Sequence, residues 1–206
     1  MPDRPHPDVV VLLSGGLDSI VLAQHALNAG RLRAVVHYIY PQPAQSQERR
    51  AVMDASRHWH LAGHFIERRD VSMGLHSYGE MAIGVGQEGP RIVPGRNLAM
   101  LSHAVNLAAG LGAAEVWIGC SAEDQAEYPD CRPDFIETVH NLSRAWGIAV
   151  RAPFIDKDRA WIVAEGKRNG APIESSWSCY QPTTTGRPCW SCDSCMQSIR
   201  AARGER

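Results

Sequence analysis

The sequence predicts an α/β fold: a Rossmann-like parallel sheet of about five strands with helices on both faces, plus a small C-terminal cysteine-bearing segment. Three observations point there. Short apolar runs alternate with helix-length amphipathic stretches along most of the chain. The first run, Val9-Val10-Val11-Leu12-Leu13, breaks into Ser14-Gly15-Gly16-Leu17-Asp18-Ser19, where a buried strand turns into a helix. Four of the six cysteines crowd the C-terminus.

Each element follows from its own pattern. After the first strand, a helix is expected over 18–28, with Leu17, Ile20, Val21 and Leu27 for packing and Gly30 to stop it. The stretch 33–40, around Ala34-Val35-Val36-His37-Tyr38-Ile39, reads as a second strand, and a Pro-Gln-Pro loop leads to a helix over 46–61. His64-Phe65-Ile66-Glu67 reads as a short third strand. The stretch 78–95, rich in Gly and Pro, reads as a loop over a site. A helix follows over 97–109, with Leu98, Leu101, Ala104, Val105 and Ala108 on one face. Strands are expected over 115–119 and 148–150. Helices are expected over 133–146, with Pro133 in its first turn, and over 156–168. Helices on both faces of a parallel sheet put ligands beyond the carboxyl ends of the strands.

Length and composition bound the function. The 206 residues suit one domain with a small appendage, here 1–170 and 171–206. A net charge of −1 gives no global field for nucleic acid or an anionic membrane. The polar, proline-rich start is unlike a signal peptide, and no apolar stretch is long enough to span a membrane. A cytoplasmic protein without disulfides is expected.

The Ser-Gly-Gly loop has the makings of a phosphate cradle. Glycines let the backbone approach a ligand, and the helix N-terminus offers free N–H groups and a positive dipole end. Ser14 and Ser19 add hydroxyls. Asp18 would repel a phosphate unless a cation intervenes, so Mg2+ is expected nearby with Asp18 as a direct or water-mediated ligand. The six residues resemble the pyrophosphatase loop of ATP-dependent adenylating enzymes, whose fold is of the adenine nucleotide alpha-hydrolase type. The Gly-Lys-Ser/Thr end of a Walker loop is missing.

Cys179, Cys189, Cys192 and Cys195 are spaced C-x9-C-x2-C-x2-C. Four thiolates in a short loop-rich segment suit one structural Zn2+ per chain, with an iron–sulfur cluster as the rival. Cys120 and Cys131 read as packed residues. The histidines His25, His58, His60, His103 and His140 lie on predicted helices without ligand spacing, and His37 and His64 on predicted strands.

Taken together, the loop, Val93-Pro94-Gly95-Arg96-Asn97, Tyr128-Pro129-Asp130-Cys131-Arg132 and the four-cysteine tail resemble the 7-cyano-7-deazaguanine synthase family. Gly119 with Glu123-Asp124, Lys157 in Ile155-Asp156-Lys157, and Ser178-Cys179-Tyr180 extend the match over nearly the whole chain. The resemblance implies a cytoplasmic, zinc-containing homodimeric ligase. Such enzymes adenylate 7-carboxy-7-deazaguanine with ATP, form the amide with ammonia, and dehydrate it to the nitrile with a second ATP. The product feeds queuosine or related deazaguanine modifications of tRNA or DNA. Asp18, Arg96 and Lys157 are then the candidate catalytic residues, and Ser14 to Ser19 the ATP loop. Tyr40, Gln42, Arg96, Asn97, Glu123, Asp124, Tyr128, Asp130 and Arg132 are candidates for the acceptor.

One segment departs from that pattern. After the second strand the family pattern is Asp-Tyr-Gly-Gln-Arg-His; here Ile39-Tyr40-Pro41-Gln42-Pro43-Ala44 lacks the Gly, Arg and His. A variant that stops at 7-amido-7-deazaguanine is therefore an alternative. So are a tRNA thiolase of the same superfamily and a nucleotide-sensing binding module. No glutaminase domain is expected, so ammonia would come from solution or from a separate donor. Neither a membrane nor a direct nucleic-acid partner is expected.

Overall fold

The computed structural model describes residues 8–64, 66–73 and 93–197. Five strands, β1 (Val9–Leu12), β2 (Leu32–Ile39), β3 (Glu67–Ser72), β4 (Glu115–Trp117) and β5 (Ala149–Arg151), form one sheet in the order β3-β2-β1-β4-β5. Every pairing is parallel. The helices are α1 (Leu17–Asn28), α2 (Gln45–Leu61), α3 (Arg96–Leu111), α4 (Ala122–Glu127), α5 (Pro133–Ser143) and α6 (Arg159–Asn169).

Period-two alternation in β1 explains why its run is apolar throughout. Val10 and Leu12 pack with Ala34, Val36, Met100, Leu101, Ala104 and Ile136 on one face, so α3 and α5 cover that side. Val9 and Val11 pack with Ile20, Leu22, Val52, Trp59 and Ile162 on the other, so α1, α2 and α6 cover the second. A strand sandwiched between two helical layers has no polar face. The predicted architecture stands as read.

The strand order fixes where a ligand can enter. From β1 the chain winds outward to β2 and β3, then crosses back to β4 beside β1 and winds outward to β5. The two directions diverge between β1 and β4, leaving a crevice beyond their carboxyl ends.

Several boundaries differ from expectation. The third strand is not His64-Phe65-Ile66-Glu67. The strand begins at Glu67, His64 lies ahead of it just past the turn at Ala62 and Gly63, and Phe65 lies outside the described residues. As an edge strand, β3 pairs with β2 alone and exposes Arg68, Arg69 and Asp70. Ion pairs Arg68–Asp70 and Arg69–Glu67 hold these charges, which guard the open edge against further pairing. Its polar sequence hides it from a hydrophobicity pattern. The expected helix over 156–168 starts only at Arg159, because Asp158 caps it by accepting a hydrogen bond from Trp161 N at 2.7 Å. The helix expected over 133–146 ends at Ser143 and continues as a 3-10 turn, Arg144–Trp146. The short α4 has no apolar periodicity; a capping box between Ser121 and Asp124 starts it. The loop expected over 78–95 lies outside the described residues except for Val93, Pro94 and Gly95. No helix among the described residues is long and apolar enough to cross a membrane.

Candidate active site

The crevice between β1 and β4 opens into a cavity of about 260 Å3. Its floor is the β1–α1 turn. Ser14 Oγ accepts a hydrogen bond from Gly16 N at 3.1 Å and lies 3.1 Å from Ser19 Oγ, which donates to Gly16 O at 2.9 Å. These bonds tie the turn to the first turn of α1. Gly16, the N-cap, makes no side-chain cap, so the helix N-terminus stays open toward the cavity. Gly15 has φ +91°, and a Cβ there would lie 2.6 Å from Glu48 O. After β4, Gly119 passes so close to α1 that a Cβ would come 3.1 Å from Ser19 N. Gly15 is a steric requirement of the loop, and Gly119 is a tight fit against it.

Asp18 projects from this turn into the cavity. Burial pushes its carboxyl up to about 6, with Asp124 and Glu123 adding to the shift and Arg159 opposing it. Its Oδ1 is buried without a hydrogen-bond partner, and Arg159 Nη2 stands 3.9 Å from Oδ2. A buried carboxylate oxygen without a partner is costly, which suits a cation at this point.

The far wall comes from β2, the turn after it, α2 and α3. Arg96 Nη1 donates to Tyr40 Oη at 3.4 Å, and Gln42 Nε2 donates to Glu48 Oε2 at 2.5 Å. Burial pushes Glu48 up to about 7, against its bond from Gln42 and the Arg96 charge. Asn97 Nδ2 reaches Asp130 O at 3.4 Å and Cys131 Sγ at 3.8 Å. Pro41 and Pro43 line this wall, where the resemblance would place small and cationic residues.

A third wall belongs to the C-terminal segment. Trp177 N donates to Gly15 O at 2.9 Å, which ties that segment to the loop. Trp177, Ser178, Tyr180 and Ser194 face the cavity, and Tyr128 Oη donates to Tyr180 Oη at 3.4 Å. Just behind, the sulfurs of Cys179, Cys189, Cys192 and Cys195 all lie within 4.8 Å of one another. Cys189 N donates to Cys179 Sγ at 3.2 Å and Cys192 N to Cys189 Sγ at 3.3 Å. Backbone donors aimed at sulfur favour thiolates, so the four residues could hold a metal ion.

The cavity thus brings together Ser14, Gly16, Leu17, Asp18, Ser19, Tyr40, Gln42, Arg96, Asn97, Asp124 and Tyr128. It does not bring in every candidate. Lys157 pairs with Asp156 at 2.8 Å and lies 5.6 Å over the Trp161 ring, away from the cavity lining. Asp130 contributes its backbone oxygen to Asn97, and Arg132 Nε donates to Gln125 O at 3.0 Å outside the lining. Glu123 Oε1 accepts from Arg159 N at 2.9 Å, and Asp124 Oδ2 accepts from Ser121 N and Oγ. Glu48, Arg159 and Trp177 are lining residues that no motif spacing singles out.

A family model described as "Queuosine biosynthesis protein QueC" matches residues 8–204. The chain belongs to the QueC family. It is 34% identical over 207 residues to the 7-cyano-7-deazaguanine synthase of Chlorobium phaeovibrioides, covering 93% of this chain and 90% of that protein. Against 7-cyano-7-deazaguanine synthase 1 of Sphingopyxis alaskensis it is 36% identical over 205 residues, 91% of this chain and 89% of that protein. Against the synthase of Archaeoglobus fulgidus it is 35% identical over 209 residues, covering 93% and 84%. Two solved structures share the fold of this QueC-family chain. One is a 4-thiouridine synthetase in complex with RNA and bound ATP (TM-score 0.53, 19% identity, 95% of this chain and 52% of that one). The other is the U34-tRNA thiolase NcsA from Methanococcus maripaludis with its 4Fe-4S cluster (TM-score 0.52, 13% identity, 96% and 65%).

Proposed function

We propose that this chain is an ATP-dependent carbon–nitrogen ligase that makes 7-cyano-7-deazaguanine. The observation that carries the reading is the cavity at the sheet's switch point, floored by the Ser-Gly-Gly-Leu-Asp-Ser turn, in a chain matched by the QueC model over 8–204. A carboxylate is a poor electrophile, and adenylation turns one of its oxygens into a leaving group. The carboxylate of 7-carboxy-7-deazaguanine attacks the α-phosphorus of ATP, and pyrophosphate departs. Ammonia attacks the acyl carbon; AMP and a proton leave, giving the amide. The amide oxygen attacks the α-phosphorus of a second ATP, and pyrophosphate departs again. Loss of AMP with that oxygen, and of the N–H protons, leaves the nitrile.

The chain's residues fit these tasks. The open N-terminus of α1, with Ser14 and Ser19, receives the phosphate chain. Arg96, buried against Tyr40, offsets negative charge on phosphate or carboxylate. The Tyr40, Gln42, Asn97 and Tyr128 side chains offer the hydrogen bonds that a planar deazaguanine needs for orientation. Asp18, with its unpartnered Oδ1, fits a Mg2+ ligand; that ion would neutralise the triphosphate.

The four cysteines fit Zn2+ better than a cluster. Tetrahedral Zn–S bonds of about 2.3 Å place sulfurs about 3.8 Å apart. The Cys179–Cys189 and Cys189–Cys195 sulfur separations are 3.5 and 4.0 Å. A four-iron cluster spreads its cysteines wider, because each sulfur sits on a different iron. With four protein ligands the ion would be structural.

The same reading places the enzyme in the cytoplasm, as a 1–170 catalytic unit with a 171–206 metal-binding segment. It would work as a homodimer, for which exposed Leu142 and Trp146 offer an apolar contact. Ammonia would come from solution or a separate donor.

The test is mass spectrometry of the product formed from 7-carboxy-7-deazaguanine, ATP, Mg2+ and ammonium. Nitrile supports the full reaction. Amide alone would assign the variant that stops at 7-amido-7-deazaguanine, with Pro43 and Ala44 as the first positions to restore. No turnover by metal-loaded protein overturns the assignment.

A further inference from the structure

We propose that Arg159 is the cation that receives the phosphate chain at the Ser-Gly-Gly turn. The inference rests on reading the cavity as an ATP site, and it moves the second cation of that site two residues beyond Lys157.

The geometry of the two residues decides between them. Lys157 lies in the turn before α6, engaged by Asp156 and the Trp161 ring, and contributes nothing to the cavity lining. Arg159 opens α6 and lines the cavity together with Ser14, Gly16, Asp18 and Ser19. Its side chain is 12% exposed, and its Nε is buried without a hydrogen-bond partner. Its Nη2 stands 3.9 Å from Asp18 Oδ2, an ion pair rather than a hydrogen bond, and donates to Gln197 Oε1 at 3.3 Å. A guanidinium held this way keeps an unused donor in a residue that lines the site needing an anion.

Its mounting is firm. Asp158 caps α6 one residue earlier, and Glu123 Oε1 accepts the Arg159 backbone N–H at 2.9 Å. These bonds fix the backbone from which the guanidinium extends, and its planar fork suits bidentate phosphate binding. Charge balance argues the same way. Asp18, Glu123 and Asp124 surround the turn with carboxylates, and a triphosphate arriving there meets repulsion. Arg159 counters it directly, whereas Arg96 sits across the cavity beside Tyr40 and Glu48.

Calorimetry on the full chain tests this with two probes in the presence of Mg2+: inorganic pyrophosphate and adenosine. Arg159→Gln should weaken pyrophosphate binding about 10–100-fold, the worth of one charge-assisted contact, while leaving adenosine affinity within twofold. Arg159→Lys should fall between, keeping the charge and losing the fork. Unchanged pyrophosphate affinity in Arg159→Gln overturns the proposal. So does an equal loss for adenosine, which would mark Arg159 as a structural support of the cavity. So does loss of pyrophosphate binding in Lys157→Gln with Arg159→Gln unaffected. None of these readings uses the deazaguanine acceptor. A parent chain that fails to turn over 7-carboxy-7-deazaguanine would sink the ligase reading and leave the Arg159 comparison decisive.

Discussion

At Gly15 the backbone has φ +91°, and a Cβ would meet Glu48 O at 2.6 Å. Gly15→Ala should therefore cost about 2 kcal/mol or more in strain, lowering the melting temperature by about 4–8 °C, and should distort the phosphate turn. Thermal denaturation and ATP consumption on one preparation would check both. Two buried carboxyls give the cavity an unusual pH signature. Asp18 is raised from 3.8 to about 6 and Glu48 from 4.5 to about 7, both mainly by burial. A raised folded pKa means that the native chain holds protons the unfolded chain has already lost. The associated stability is full below the unfolded values and is lost as pH rises through about 6 and about 7. Each shift corresponds to about 3 kcal/mol. Without nucleotide or metal, the chain should thus gain stability as pH falls from 8 toward 5, against the usual acid trend. Urea denaturation across that range should show the slope, and Glu48→Gln should flatten its upper part. A Glu48→Gln chain with the parent's slope would overturn that assignment.

The elements that carry the site are held by caps and edges more than by periodicity. The start of α6 is set by Asp158, whose side chain accepts from Trp161 N. Asp158→Ala should cost about 1 kcal/mol, or a melting-temperature drop of about 2–4 °C. It should also loosen Arg159, so that pyrophosphate affinity falls along with stability; calorimetry beside a melting curve would show whether the two move together. Strand β1 and helix α1 are plain in the sequence because both faces of β1 are buried and the Gly-Gly turn punctuates them. Strand β3 is not, because an edge strand with Arg68, Arg69 and Asp70 exposed has no apolar signature. Its position comes from its hydrogen-bonded register with β2, Ala34 opposite Glu67 onward.

Across the whole molecule, the C-terminal segment completes the cavity rather than merely ending the chain. Trp177 is tied to Gly15, Tyr180 to Tyr128, and Ser194, between Cys192 and Cys195, faces the nucleotide side. If the four thiolates hold zinc, chelating it or making Cys192→Ser should release this wall. Atomic absorption should then find the ion lost, nucleotide binding should fall at least tenfold, and the far-UV circular dichroism of the sheet and its helices should largely persist. The sheet's own core, on both faces of β1, contains none of the four cysteines.

Strand–helix alternation, the Ser-Gly-Gly turn, the cysteine spacing and the family resemblance are local patterns, and the residues carry them without help from distant contacts. They were enough for the parallel sheet, its helical layers, the strand-to-helix turn over 14–19 and the clustering of the cysteines. The side chains that line the cavity depend on packing between segments far apart in the chain. Lys157 and Arg159 are two residues apart and chemically alike on paper, yet only Arg159 lines the cavity, its backbone held beside the Asp158 cap by a carboxylate on α4. Glu48 reads as an ordinary first-turn acid of a surface helix. Only the approach of α2 to Gly15 buries it beside Gln42 and Arg96.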